Sequence, residues 1–230
     1  MRPGADVLRA LPWMSAFFIA MAYLESAVVV YARALYYPNG FAFPLVTMER
    51  SLVMTELWRE VATLLMLLAP AALVTRSALQ RFAWFCYGFG LWDIFYYVWL
   101  KVLLGWPENL ATWDLLFLVP LPWVGPVWAP CLISLGLISL GLVTLARSTH
   151  RPHWRISRSE WLLLIAGAIV LLTSLMLDPY QQGVTMRSLF DTGDAEVLHS
   201  YVPAHFPWLL FLAGCAIGTA GLLRIAVRKA

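Results

Sequence analysis

Six long apolar runs organise this sequence, at about 11–33, 53–74, 82–104, 124–146, 160–178 and 206–226, separated by short polar connections. Each run is long enough to cross the hydrocarbon core of a bilayer, which takes roughly 20 helical residues. The pattern predicts an all-α integral membrane protein, a bundle of six transmembrane helices in a single polytopic domain over residues 1–230. Pro70 interrupts the second run, and Pro126 and Pro130 open the fourth. Such breaks are tolerated where neighbours satisfy the freed backbone groups. Arg2 and Arg9 precede the first run as they would in a signal peptide, but the run continues to Tyr37 and no small-residue cleavage site closes it. An uncleaved first helix is expected.

One connection breaks the pattern. After the turn Gly105-Trp106-Pro107-Glu108-Asn109 comes Trp113–Trp123, WDLLFLVPLPW. It is too apolar to sit in water and too short and Pro-rich to cross, so a short re-entrant or interfacial half-helix is expected near residues 112–123. Asp114 would then lie in a first helical turn, where it complements the helix dipole.

Charge sets the orientation. Most of the 16 Lys and Arg residues fall at the two ends and in the 75–81 and 147–159 connections. The positive-inside rule places these segments in the cytoplasm and predicts a bacterial inner (plasma) membrane protein with both termini cytoplasmic. Most of the 13 acids fall in the outer connections or on the outer ends of the spans. Composition agrees: 61% of residues are hydrophobic and 13% charged, and mean hydropathy is +0.74. A soluble domain carries about 25% charged residues. The bilayer is the expected partner; no basic, aromatic-interleaved run points to nucleic acid, and protein partners are not indicated. Cys86, Cys131 and Cys215 sit in apolar runs with no CxxC pair and read as core packing. Of the 12 tryptophans, Trp99, Trp106, Trp113 and Trp123 read as an outer interfacial belt, and Trp13, Trp84, Trp154 and Trp161 as an inner one.

Ionisable groups inside a membrane are expensive and mark function by default. The first span carries Glu25, with Arg33 at its outer end. In the second, Glu56, Glu60 and Thr63 share a helix face, and Arg59 stands three residues from Glu56, within pairing reach. In the third, Asp93, Tyr97 and Lys101 form a stripe with Gly90 and Tyr96 alongside. The topology brings these outer-half stripes to one depth, so the expected polar site comprises Glu25, Arg33, Glu56, Arg59, Glu60, Asp93, Tyr97 and Lys101, with Asp114 near it. Arg59, Lys101 and Arg33 are the expected counter-charges. In the last outer connection, Glu196 and His199 are spaced ExxH and His205 follows, a weak three-ligand metal candidate, since carboxylate di-iron bundles need two such motifs. No cofactor is assigned. GxSxG, P-loop, HExxH and dinucleotide motifs are absent. Gly214, Gly218 and Gly221 mark a close helix-packing face.

Three functions fit this pattern. The first is the handling of a small solute, ion or proton at the carboxylate site. The second is a membrane-embedded enzyme using carboxylate acid/base chemistry on a lipid or isoprenoid. The third is a structural or assembly subunit in which the charges are only architecture. A small-molecule or lipid ligand fits the first two.

Overall fold

The computed structural model describes residues 3–151, 153–185, 188 and 195–228. The chain is a mostly helical, multi-pass membrane protein. Its elements are α1 (Pro3–Tyr36), α2 (Arg50–Val74), α3 (Ala78–Leu104), β1 (Trp113–Phe117), β2 (Trp123–Pro126), α4 (Trp128–His150), α5 (Arg158–Gln181), the short α6 (Ala195–Ser200) and α7 (Trp208–Val227). The α1, α2, α4, α5 and α7 helices are long and apolar enough to cross a membrane. Their outward faces carry side chains that water would not tolerate: Leu73 is 90% exposed and Leu209 is 87% exposed. These faces meet lipid.

The third expected span is also a helix, α3, of 27 residues. At about 1.5 Å per residue it exceeds the roughly 30 Å hydrocarbon core. It falls outside the five apolar helices because Trp, Tyr and Gly dilute its hydropathy. Those residues serve its position instead: α3 sits centrally, packed on α1, α2 and α4, while α5 pairs with α7.

Local chemistry sets the helix ends. Ser77 caps α3 by accepting the Gln80 N–H, and Gly105 closes it at φ 68°, a left-handed conformation that costs glycine little. Ser157 and Glu160 form a capping box on α5. The buried Glu160 carboxylate also pairs with Arg228 at 3.0 Å, tying the start of α5 to the end of α7. Glycines let helices approach at two crossings. On α5–α7, Gly167 faces the Gly218 backbone, which bears out the small-residue face on α7. On α3–α4, a Cβ on Gly90 would collide with the Ser134 carbonyl oxygen, and one on Gly141 would lie 2.6 Å from the Ala83 carbonyl. Gly90→Ala is therefore expected to lower stability by about 1–3 kcal/mol, as overpacking does. Thermal unfolding followed by tryptophan fluorescence should show a lower midpoint. Gly218→Ala is the control, since its Cβ would meet nothing within 4 Å; equal midpoints for the two variants would refute the argument.

The segment expected as a re-entrant half-helix is instead a short β-hairpin, set within a chain that is otherwise mostly helical, as expected of an all-α membrane protein. β1 and β2 pair antiparallel, Trp113 opposite Pro126 and Leu115 opposite Val124, with an irregularity between Leu115 and Phe117. The fourth helix accordingly starts at Trp128, and 124–126 belong to β2. The reason is in the prolines. Pro120 and Pro122 cannot sit inside a helix, they push Val119 and Leu121 toward extended backbone, and they separate two runs rich in Trp, Phe, Leu and Val. The tryptophan belts also need correction. Trp13 is 79% exposed, as an interfacial residue should be, but Trp84 is fully buried and Trp154 nearly so; both are core.

Candidate functional site

A cavity of about 180 Å³ lies between α1, α2, α3, the hairpin and the 37–48 connection. Most of its wall is apolar, including Val29, Val53, Trp92 and Leu115–Leu118, and Phe41, Leu45 and Leu198 belong to it on the side of the connections. Into the same cavity come Glu25, Glu56, Glu60, Asp93 and Asp114, with Arg33 and Arg59. Five carboxylates thus face two guanidinium groups.

Each charged residue has a specific setting. Arg59 pairs with Glu25 on α1 and with Glu56, one turn away on α2, at 2.6 Å. Thr63 donates to Glu25 at 3.1 Å. Glu60, only 5% exposed, accepts the Leu118 N–H at 2.9 Å and the Val119 N–H at 3.2 Å. These amides lie just past β1, so α2 holds the hairpin by its backbone, and the free strand edge finds an acceptor away from water. Asp93 accepts from Ser134 at 2.7 Å, a contact made by the close α3–α4 approach at Gly90 one turn earlier.

Arg33 and Asp114 form a buried pair at 3.3 Å, with side chains 9% and 2% exposed. The guanidinium carbon lies 3.8 Å from the Trp106 ring centroid and 4.5 Å from that of Phe41. Tyr97 donates to the other Asp114 oxygen at 3.2 Å. Burial pushes the Asp114 carboxyl up from 3.8 to about 6, against the lowering effects of Arg33, the Tyr97 hydroxyl and the Leu115 N–H. The folded protein therefore holds this proton more tightly than the unfolded chain does. The associated stability is complete below about pH 4 and is lost as pH rises through about 6. The unfolding midpoint of the protein, relative to that of Asp114→Asn, is expected to fall across this window. A relative midpoint that climbs there would contradict the argument.

The structure brings together Glu25, Arg33, Glu56, Arg59, Glu60, Asp93, Tyr97 and Asp114, eight of the nine residues anticipated. Lys101 is the exception. It folds back onto the Gly105 and Pro107 carbonyl oxygens at 2.9 and 2.8 Å, neutralising the end of α3 rather than a carboxylate. Asp114 does not complement a helix dipole, because it lies on a strand and its partner is Arg33. The weak metal candidate is not assembled. His199 is hydrogen-bonded to Thr47 at 2.8 Å, Glu196 is exposed on α6, and His205 lines a separate hollow with Trp113, Trp128 and Trp208. Among the described residues no group of three His, Cys, Asp or Glu could hold a metal ion.

Ser134, Phe41 and Trp106 escaped the sequence reading as site residues. Ser134 had no local signal, since it is a lone hydroxyl in an apolar helix. Trp106 carried a weak one: an aromatic in a Gly-Trp-Pro turn beside the outer end of a span is well placed to cover an arginine. Comparison with models of protein families, with curated proteins and with solved structures finds no match.

Proposed function

We propose that the chain crosses a bacterial inner membrane six times, as one domain with both ends in the cytoplasm, and that the cavity handles a small solute, ion or proton in the outer half of the bilayer. The observation that carries this reading is the charge balance around an open volume. Arg59 pairs with two carboxylates and Arg33 with one, so among the described residues neither Glu60 nor Asp93 forms an ion pair. A lattice serving only to fix helices would close on itself and pair its charges, since a buried unpaired charge costs several kcal/mol. Here, hydrogen-bonded but uncompensated carboxylates border a cavity large enough for several waters.

Topology is tested by reporter fusions after residue 78, after residue 152 and at the C-terminus, all of which should read cytoplasmic. A periplasmic signal from the 147–159 connection would overturn the arrangement. The site is tested by carbodiimide labelling of the purified protein in lipid vesicles. Asp93 or Glu60 should be modified, as read by mass spectrometry, and the bound solute or cation should slow the reaction. If no cavity carboxylate reacts with either a water-soluble or an apolar carbodiimide, the cavity is sealed and the architectural reading stands instead.

A further inference from the structure

The geometry points to a ligand class for this cavity: a small organic ammonium with an apolar body and an oxygen on a neighbouring carbon, its charge against Asp93 and its oxygen on the Trp92 indole N–H. The inference rests on the reading of the cavity as a solute site.

Four observations converge on it. Among the described residues Asp93 has Ser134 as its one hydrogen-bond donor, so a carboxylate able to accept about four hydrogen bonds keeps capacity on the cavity wall. Trp92, the adjacent residue, is 4% exposed and lines the same cavity, yet its indole N–H has no partner among the described residues. An orphaned buried donor carries a desolvation cost that a ligand oxygen would remove. The Trp92 and Tyr96 rings, 6.3 Å apart, both line the cavity with Asp93, giving an ammonium an aromatic wall rather than the polar shell a hydrated ion would need. Finally, the remaining wall is apolar, and the volume of about 180 Å³ is slightly more than the roughly 150 Å³ that holds one benzene.

Other ligand types fit less well. No three of the carboxylates converge as a metal site would require, among the described residues. Arg33 also has an amino group with no partner among the described residues, but its guanidinium is covered by Trp106 and Phe41 and already paired with Asp114. An anionic ligand would moreover meet a wall with excess carboxylates.

The test uses the full-length protein purified in detergent, with binding followed by calorimetry. The probes are 2-amino-1-phenylethanol, 2-phenylethylamine, 2-phenylethanol and phenylacetate. The amino alcohol should bind tightest, the simple amine several-fold more weakly, and the neutral alcohol at least about tenfold more weakly, the loss expected for one charge-assisted hydrogen bond. Phenylacetate should be weakest. Asp93→Asn should lower amine affinity by about tenfold or more without altering that for 2-phenylethanol, and Asp93→Glu should retain amine binding. Trp92→Phe should abolish the difference between amino alcohol and amine. Equal binding of the neutral alcohol, or preference for phenylacetate, overturns the inference. So does failure of every probe to bind the wild-type protein. If sodium ions still protect Asp93 from carbodiimide in that case, the cavity reading survives; if nothing labels Asp93 or Glu60, that reading falls too.

Discussion

Asp114→Ala is expected to be the most damaging single substitution in the site, costing about 3–5 kcal/mol, the range for stranding one partner of a buried ion pair. The Arg33 guanidinium would lie 8% exposed with no carboxylate, and one of its amino groups already lacks a partner among the described residues. Tyr97 would lose its acceptor at the same time. The faces of Trp106 and Phe41 would return part of the loss through cation–π attraction, about 0.5–2 kcal/mol for each well-placed ring. Removing both charges is a different matter. Arg33→Leu combined with Asp114→Leu should recover most of the stability, because apolar replacements of buried pairs are often neutral. A double-mutant cycle from unfolding in mixed micelles should give a large coupling energy. A cost below about 0.5 kcal/mol for Asp114→Ala would mean that water reaches the pair and that the site is not enclosed.

Glu60→Ala is expected to cost about 2–4 kcal/mol, because it orphans the Leu118 and Val119 amides together. Its effect should be local as well as global. The hairpin is joined to α2 here, so amide hydrogen exchange at Leu118 and Val119 should accelerate far more than exchange along α2 itself. Glu60→Gln keeps one acceptor oxygen and should fall between wild type and Glu60→Ala. Unchanged exchange at those two amides in Glu60→Ala would show that the hairpin is held elsewhere. A loosened hairpin would also alter the cavity, since Leu115–Leu118 form part of its wall.

The legibility of this site varied residue by residue, and for identifiable reasons. The Arg59–Glu56 pair follows from helix geometry alone, because residues three apart on a helix are neighbours. The meeting of Glu25 with Arg59 followed from depth, once both helices were given ends on the same side of the membrane. Lys101 was misassigned by the same spacing logic: it shares a stripe with Asp93 and Tyr97, but a lysine in the last turn of a helix has free carbonyl oxygens closer than any distant carboxylate. The hairpin's two prolines and the aromatic runs on either side carry a strand–turn–strand signal. It competes with the general preference for helix at membrane depth. That preference fails where strand edges are served by protein, as Glu60 serves this one.

The long apolar runs by themselves determined that the chain is a helical membrane protein, because lipid offers no hydrogen bonds and only continuous apolar helices tolerate it. The ionisable residues within those runs determined which positions would be inward and polar, because a charge facing lipid is too costly to keep. Tertiary structure alone decided the partners. Arg33 finds Asp114 across 81 residues of chain and Ser134 finds Asp93 across 41, contacts set by a hairpin fold and by a glycine crossing. Only the assembled bundle could set Asp93 and Glu60, which form no ion pair among the described residues, beside an open volume, since an unfilled space between helices belongs to no segment of the chain.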